Sequence, residues 1–282
     1  MELPLIEVKN LNITIGATPL VRDVSFALRR EKLAIVGESG AGKSTVGRAI
    51  MRLLPSSMQV TADRLTFRDT DLLAATERQM MALRGRRIGL ILQDPKYSLN
   101  PVINVGDQIA EAWRLHHPGA SGKREAYDQT LTILEAVQIR DPARVYRLYP
   151  HEVSGGMGQR IMIAMMLIAG PDVVIADEPT SALDVTVRLE VLNLLDALIE
   201  KRGLGLILIS HDLNLVRRFC DRVVIMYAGR VVETLKAADL DRAEHPYTKG
   251  LLASLPSIHH VQPRLPVLRR DPSWLTPTGA EP

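Results

Sequence analysis

Residues 37–45 combine glycines, a lysine and hydroxyl side chains with the spacing of a phosphate-binding loop. They follow the apolar run 33–36 and precede a segment whose apolar residues recur at helical spacing, the context that such a loop requires. The residues are Gly37, Glu38, Ser39, Gly40, Ala41, Gly42, Lys43, Ser44 and Thr45. Glycines permit a tight turn with inward N–H groups, and a helix start attracts anions. We expect Lys43 to reach the β- and γ-phosphates of a nucleoside triphosphate and the Ser44 hydroxyl to contact Mg²⁺.

Two carboxylates, Asp177 and Glu178, directly follow the apolar run 173–176, which is predicted to be a buried strand. Ligands of open α/β sheets bind at the carboxyl ends of the strands, where the phosphate loop would also lie. Asp177 would hold Mg²⁺ through its water shell, and Glu178 would orient and deprotonate an attacking water. The alternative is a solvent-exposed acidic pair at a strand end.

Gln93 and His211 each follow another apolar strand pattern. The amide of Gln93 could contact the metal or the water, and a neutral imidazole at His211 could hydrogen-bond a γ-phosphate. Alone, either residue is as typical of an ordinary turn or a structural position. Because four predicted strand ends bring Lys/Ser, Gln, Asp/Glu and His to one edge, a shared catalytic site is favoured.

A second anion-binding nest is predicted at Ser154, Gly155 and Gly156, which open an apolar helix. One chain seldom needs two such nests for one nucleotide. A dimer would use both if it placed this nest against the γ-phosphate bound by the partner.

The order of elements predicts an α/β fold. Alternation over 5–15, with further strand patterns at 21–28 and 60–67, indicates a small antiparallel layer. Apolar strands at 88–92, 173–176, 206–209 and 223–227, separated by helical patterns that include 72–83, 187–201 and 213–220, indicate a mostly parallel, doubly covered sheet. Between 102 and about 153 helical periodicity replaces the strand signals, which indicates a helical insertion.

Composition excludes several classes of protein. The 282 residues are 46% hydrophobic and 24% charged with a net charge of +3, and these charges are interspersed, so a nucleic-acid surface is not indicated. Apolar runs stay well below the roughly 18 residues of a membrane span, and the start of the chain lacks a signal pattern, so we expect a cytoplasmic protein. A lone cysteine, Cys220, excludes an internal disulfide. Prolines beyond 255 indicate an extended or mobile tail.

These motifs together resemble those of the ATP-binding cassette (ABC) ATPases, over residues 6 to about 255. In the family's order the chain carries the loop 37–45, Gln93, the signature 153–157, Asp177 with Glu178, the segment 181–184, and His211. It is most similar to the peptide and nickel importer branch, on the segments 93–95, 98–101, 151–157 and 245–252, the last reading His-Pro-Tyr-Thr-Lys-Gly-Leu-Leu.

The resemblance implies a P-loop NTPase fold of the α/β class, with a mostly parallel sheet, a small antiparallel β layer, a helical subdomain and a C-terminal extension. The implied domains are an ABC ATPase domain over 1–255, with the helical signature subdomain 102–157 inserted, and an extension over 231–282 with the His-Pro-Tyr motif and a Pro-rich tail.

The resemblance also implies that two subunits sandwich two ATP molecules head to tail. Each site would combine the loop, Gln93, Asp177, Glu178 and His211 of one subunit with the signature of the other. Lys43, Gln93, Glu178 and His211 are the implied catalytic residues, and Ser44, Gln93 and Asp177 the implied Mg²⁺ ligands. Nucleotide contacts would further include Ile15, Ser154, Gly155, Gly156 and Asp184. Ile15 stands where the family usually has an aromatic residue on adenine, so its contact would be apolar.

The implied partners are a second related ATPase or the chain itself, two membrane permeases and an extracytoplasmic substrate-binding protein. Residues 97–105 would contact a permease helix at the cytoplasmic face of the cytoplasmic membrane. The implied function is ATP hydrolysis that powers import of di- or oligopeptides, nickel or related solutes. Two alternatives are a regulatory subunit that binds ATP with little hydrolysis and a non-transport ABC ATPase of DNA repair or translation.

Overall fold

The computed structural model describes residues 3–95, 98–117, 119, 122–181, 183–255, 271 and 274. Most of the predicted Pro-rich tail, Tyr97 of the predicted permease contact and Ala182 lie outside these residues. The chain forms two compact units, the first from Met1–Ala74 with Leu208–Pro282 and the second from Ala75–Ile207.

Eleven strands and nine α-helices are found within the described ranges. The strands are β1 (Ile6–Ile15), β2 (Thr18–Leu28), β3 (Lys32–Val36), β4 (Met58–Thr61), β5 (Arg64–Phe67), β6 (Thr70–Asp71), β7 (Ile88–Ile91), β8 (Val173–Asp177), β9 (Gly205–Ser210), β10 (Arg222–Tyr227) and β11 (Arg230–Lys236). The helices are α1 (Lys43–Ile50), α2 (Glu77–Leu83), α3 (Val105–His116), α4 (Lys123–Ala136), α5 (Pro142–Tyr146), α6 (Gly155–Leu167), α7 (Val185–Arg202), α8 (Leu213–Phe219) and α9 (Pro246–Ala253).

The first unit contains the predicted antiparallel layer, with strand order β2-β1-β5-β6 and β4 also paired with β1. The buried residues of β1 are Ile6, Val8, Leu11 and Ile13, so the alternation skips a residue at Asn10. Asn10 has a φ of 49°, and the β1–β2 register shifts between Val8 and Leu11. This bulge adds one residue to β1, which returns the apolar side chains after it to the core face.

The prediction of a single strand over 60–67 in this layer was wrong. Residues 58–67 instead form β4 and β5, which pair with opposite ends of β1: Met58 opposes Ile15, and Phe67 opposes Ile6. The apolar side chains occupy even positions in β4 (Met58 and Val60) and odd positions in β5 (Leu65 and Phe67), and the two strands pair separately with β1.

The first unit also contains strands in the order β11-β10-β3-β9. β3 and β10 are parallel, with Val36 opposite Ile225, and their side chains are almost wholly buried. β11 returns antiparallel to β10 through a turn in which Ala228 and Gly229 have φ of 46° and 84°. Positive φ at both positions is typical of a type I′ hairpin, which usually carries Asn-Gly rather than Ala-Gly. β11 was therefore missing from the predicted strands.

The second unit contains strands in the order β9-β8-β7, since the boundary between the units falls within β9. β7 and β8 are parallel, with Ile91 opposite Ala176. Helices α3, α4 and α5 occupy the region predicted to be a helical insertion. The helix predicted over 72–83 starts only at Glu77, because Thr76 and Gln79 form a capping box there.

In the parts of the chain that the structure describes, every helix is too short or too polar to cross a membrane.

Candidate functional site

The predicted phosphate loop lies in the first unit between β3 and α1. Gly40 and Gly42 have φ of 84° and 92°, the left-handed region that favours glycine. A Cβ atom on Gly37 would lie 2.1 Å from the carbonyl oxygen of Met226. Backbone conformation thus favours glycine at two positions of the loop, and close backbone approach requires it at a third.

Lys43 is the first residue of α1, and its side chain is buried, with 6% exposure. Its Nζ donates hydrogen bonds to the carbonyl oxygens of Gly37 at 2.8 Å and Glu38 at 2.9 Å. These bonds offset the cost of burying the ammonium group and hold its charge against the loop. Ser44 and Thr45 follow in the first turn of α1.

A cavity of about 210 Å³ adjoins the loop in the first unit. Its lining residues are Glu38, Ser39, Gly40, Ala41, Tyr227 and Ala228. Because β10 runs parallel to β3, the end of β10 reaches the same side as the loop that follows β3. The β10–β11 turn therefore forms one wall of the cavity.

Ile15 lies at the end of β1, where 42% of it is exposed and it pairs with Thr18 of β2. Two residues further along β2, the carbonyl oxygen of Leu20 lies 3.1 Å from the position of a Cβ on Gly42. The strand that pairs with Ile15 thus approaches the end of the loop, within the same unit.

His211 lies in the first unit, exposed in the turn between β9 and α8. Ser210 Oγ accepts a hydrogen bond from the Asp212 N–H at 3.0 Å, and Asp212 Oδ1 accepts one from the Leu215 N–H at 3.1 Å. These bonds fix the backbone on both sides of the imidazole.

In the second unit, Gln93 and Asp177 lie at the ends of two neighbouring parallel strands, β7 and β8. Asp177 is the last residue of β8 and has 7% exposure, whereas Gln93 is exposed and lies two residues beyond β7. Because Ile91 and Ala176 are opposite each other, the two polar residues emerge at the same edge of the strand pair.

Glu178 has an unusual backbone conformation, with a φ of 47°. Its carbonyl oxygen accepts hydrogen bonds from the N–H and the Oγ of Ser181, both at 3.2 Å. A non-glycine residue in this region costs about 1–3 kcal/mol, and such residues cluster at functional sites. No local sequence pattern predicts this backbone conformation at Glu178, so the sequence did not indicate it.

The predicted second nest and Asp184 come together in the second unit. Ser154 caps α6 by accepting the Met157 N–H at 3.3 Å, and Asp184 caps α7 by accepting the N–H groups of Thr186 and Val187. A Cβ on Gly156 would lie 2.6 Å from Cγ1 of Val187, so the starts of α6 and α7 are in close contact.

A cavity of about 970 Å³ opens beside these two helix starts. Its lining includes Ser154, Gly155, Gly156, Asp184, Arg140, Arg144 and Arg160. Arg160 is held by Glu190 at 3.0 Å, by Gln138 Oε1 at 3.0 Å and by the carbonyl of Val137 at 3.3 Å. Helix N-termini and guanidinium groups favour anions, whereas Asp141, Asp184 and Glu190 add carboxylates to the same lining.

One residue at the loop was not predicted as part of the site. Tyr247 of α9 is fully buried, and its hydroxyl accepts a hydrogen bond from the Glu38 N–H at 3.0 Å. His245 caps α9, because its Nδ1 accepts the Tyr247 N–H at 3.1 Å. Burial lowers the pKa of His245, against an opposing effect of Glu233. The motif 245–252 was the only sequence signal, and it did not indicate a contact with the loop.

Comparison with known proteins identifies the family. Residues 21–181 match the family model described as ABC transporter. The dipeptide transport ATP-binding protein DppD of Bacillus subtilis is 45% identical over 90% of this chain and 77% of the relative. The chain belongs to the ABC transporter family. A probable peptide ABC transporter ATP-binding protein of Sinorhizobium fredii, y4tR, is 48% identical over 86% of this chain and 72% of the relative.

The solved structures agree with this assignment. The ATP-binding cassette MJ0796, in a dimeric post-hydrolysis state bound to ADP and Pi, has a TM-score of 0.70 and 26% identity over 82% of this chain and 98% of its own. The predicted α/β fold of the ABC ATPases is thereby confirmed. As a member of the ABC family the chain is an ATP-binding subunit that hydrolyses ATP.

Proposed function

We propose that this ABC ATPase powers an importer of di- and oligopeptides, with nickel complexes and related small solutes as alternative cargo. The observation that carries the proposal is the 45% identity to a dipeptide transport ATP-binding protein over 90% of the chain. The segment 245–252 supports the same branch.

The loop would bind the phosphates of ATP, with Lys43 and the loop amides stabilising the charge that develops on them. Glu178 would act as general base. The water oxygen forms a bond to the γ-phosphorus, its proton passes to Glu178, and the bond from that phosphorus to the bridging oxygen breaks, so that ADP leaves. His211 would donate a hydrogen bond to the γ-phosphate, and Ile15 would contact the base.

The side chains proposed to hold Mg²⁺ have oxygen donors, which this hard cation prefers. They are the Ser44 hydroxyl, the Gln93 amide and the Asp177 carboxylate, and Asp177 ends a buried strand with 7% exposure. A bound Mg²⁺ would neutralise negative charge on the phosphates.

The signature is proposed to complete the site of a second subunit, which is either a related ATPase or another copy. Ser154, Gly155, Gly156 and Asp184 would face the nucleotide bound by the loop of that subunit. The support is the 970 Å³ cavity beside the starts of α6 and α7.

The chain is further proposed to act with two permeases and an extracytoplasmic substrate-binding protein. It would lie peripherally at the cytoplasmic face of the membrane. Residues 97–105 would contact a permease. Val102, which is 77% exposed, supplies an apolar side chain there. The domains proposed are the ATPase domain 1–255, the inserted helical subdomain 102–157 and the extension 231–282.

The test is ATP hydrolysis by this chain reconstituted with its permeases, with the binding protein presented empty, peptide-loaded or nickel-loaded. Stimulation by the peptide-loaded binding protein is expected. Stimulation by the nickel-loaded form only would instead identify nickel as the cargo. ATP binding with no turnover under any load would contradict the proposal and favour a regulatory subunit.

A further inference from the structure

Tyr247 connects the C-terminal helix α9 to the phosphate loop, within the first unit. Its hydroxyl accepts the Glu38 N–H at 3.0 Å across 209 residues of sequence. The side chain is wholly buried, and its ring packs against Tyr227, with ring centroids 4.6 Å apart, and edge-on against Trp274 at 5.9 Å. The packing of these rings fixes the position of the hydroxyl.

Glu38 carries this contact onward to Lys43. The carbonyl oxygen of Glu38 accepts hydrogen bonds from Lys43 Nζ at 2.9 Å and from the Ala41 N–H at 3.1 Å. The N–H of residue 38 is thus held by Tyr247, while its carbonyl holds the lysine and the turn of the loop. The Glu38 N–H also shares one planar peptide group with the Gly37 carbonyl, which accepts a hydrogen bond from Lys43 Nζ at 2.8 Å, so movement of the N–H would move that carbonyl as well.

We propose that Tyr247 is a positioning residue for ATP binding, which orients the loop through Glu38 and thereby sets the position of Lys43. The inference rests on the proposed role of Lys43 in binding the phosphates. It gives the His-Pro-Tyr motif a function in this chain: His245 caps α9, Pro246 begins the helix, and Tyr247 holds the loop.

The decisive variant is Tyr247→Phe, which removes the hydroxyl and keeps the ring that packs against Tyr227. The matched control is Ser254→Ala, which removes another hydroxyl of the same helix region, one that donates to the Gly250 carbonyl at 2.7 Å. Lys43→Ala serves as the reference for loss of the lysine itself.

Three measurements on the full chain distinguish positioning from packing. They are the dissociation constant of a fluorescent ATP analogue, the kcat and KM of ATP hydrolysis, and hydrogen exchange of the loop peptides. Loss of one net hydrogen bond is expected to weaken ATP binding about three- to tenfold and to lower kcat/KM by at least that factor, because Lys43 is also proposed to stabilise charge that develops on the phosphates. Loop exchange is expected to accelerate in Tyr247→Phe and to stay at the wild-type rate in Ser254→Ala.

Wild-type affinity together with wild-type loop exchange in Tyr247→Phe would overturn the inference and leave the ring as a packing element. Unchanged affinity in Lys43→Ala would instead remove Lys43 from the proposed function. Faster loop exchange in Tyr247→Phe would, in that case, still support Tyr247 as the residue that holds the loop.

Discussion

Glu178 shows how backbone and side-chain chemistry combine at one residue. Its left-handed backbone follows directly after the buried end of β8, and Ser181 closes the turn by two hydrogen bonds to its carbonyl. The backbone geometry is set by main-chain atoms and by Ser181, so a change of the Glu178 side chain that keeps its shape should preserve the turn.

Glu178→Gln should therefore retain the fold and ATP binding and lose most hydrolysis. Removal of a general base typically lowers a rate by about 10²–10⁴-fold. The measurement is ATP turnover alongside ATP binding, with Glu135→Gln, an exposed carboxylate of α4, as the control. Wild-type turnover in Glu178→Gln would remove this residue from the role of base.

At the scale of elements, close helix contacts and helix caps shape the site. The starts of α6 and α7 approach so closely that a Cβ on Gly156 would lie 2.6 Å from Val187 Cγ1, whereas one on Gly155 would lie 3.7 Å from Leu183 Cδ2. The first distance demands a shift of a stiff β-branched side chain, and the second is an ordinary contact.

Gly156→Ala should therefore destabilise the protein by about 1–3 kcal/mol, the usual cost of overpacking. Gly155→Ala should have a much smaller effect. Combining Gly156→Ala with Val187→Ala should recover part of the loss, since the second change makes space for the new methyl group. Urea unfolding of the wild type and these three variants measures the effects. Equal losses of stability in Gly155→Ala and Gly156→Ala would contradict the described helix contact.

The cap of α9 predicts a pH dependence. Burial lowers the pKa of His245 below its ordinary 6.5, so the unfolded chain binds this proton more readily than the folded chain. Its stabilising contribution is therefore present above pH 6.5 and is lost as pH falls below it. A protonated Nδ1 also cannot accept the Tyr247 N–H.

His245→Asn should weaken this dependence, because asparagine caps helices without titrating. The measurement is the urea midpoint of both chains between about pH 8 and pH 5. Burial also lowers the pKa of His116. Its effect on the pH dependence of stability is the same in both chains and therefore cancels in the comparison. Parallel curves for the two chains would contradict the titrating cap.

At the scale of the whole molecule, the loop and the signature belong to different compact units of one chain. In the proposed head-to-tail dimer, each nucleotide would be bound by the loop of one subunit and the signature of the other. Each subunit then contributes to two sites.

Mixing two inactive chains tests this arrangement. Lys43→Ala damages the loop, and Ser154→Glu introduces negative charge into the signature cavity. A mixed dimer contains one doubly damaged site and one intact site, so the mixture should hydrolyse ATP faster than the sum of the separate variants. A rate equal to that sum would contradict sites shared between two copies of this chain.

The amino-acid sequence determined the features that depend on neighbouring residues. The spacing of the loop 37–45, the carboxylates after 173–176 and the helical pattern after 102 depend on local geometry, and β8 and α7 occur close to their predicted bounds. The family followed from the order of the motifs. The helix predicted over 72–83 was placed five residues too early at its start, although the capping box of Thr76 and Gln79 that sets this start is a local feature.

Only the tertiary structure decided the features that depend on residues distant in the chain. The division of 58–67 into β4 and β5 follows from their separate pairings with β1. The contact of Val187 with Gly156 and the hydrogen bond from Glu38 to Tyr247 join segments 31 and 209 residues apart. Such contacts leave no periodic pattern in the sequence, because each depends on how whole elements pack and not on the conformational preference of either residue.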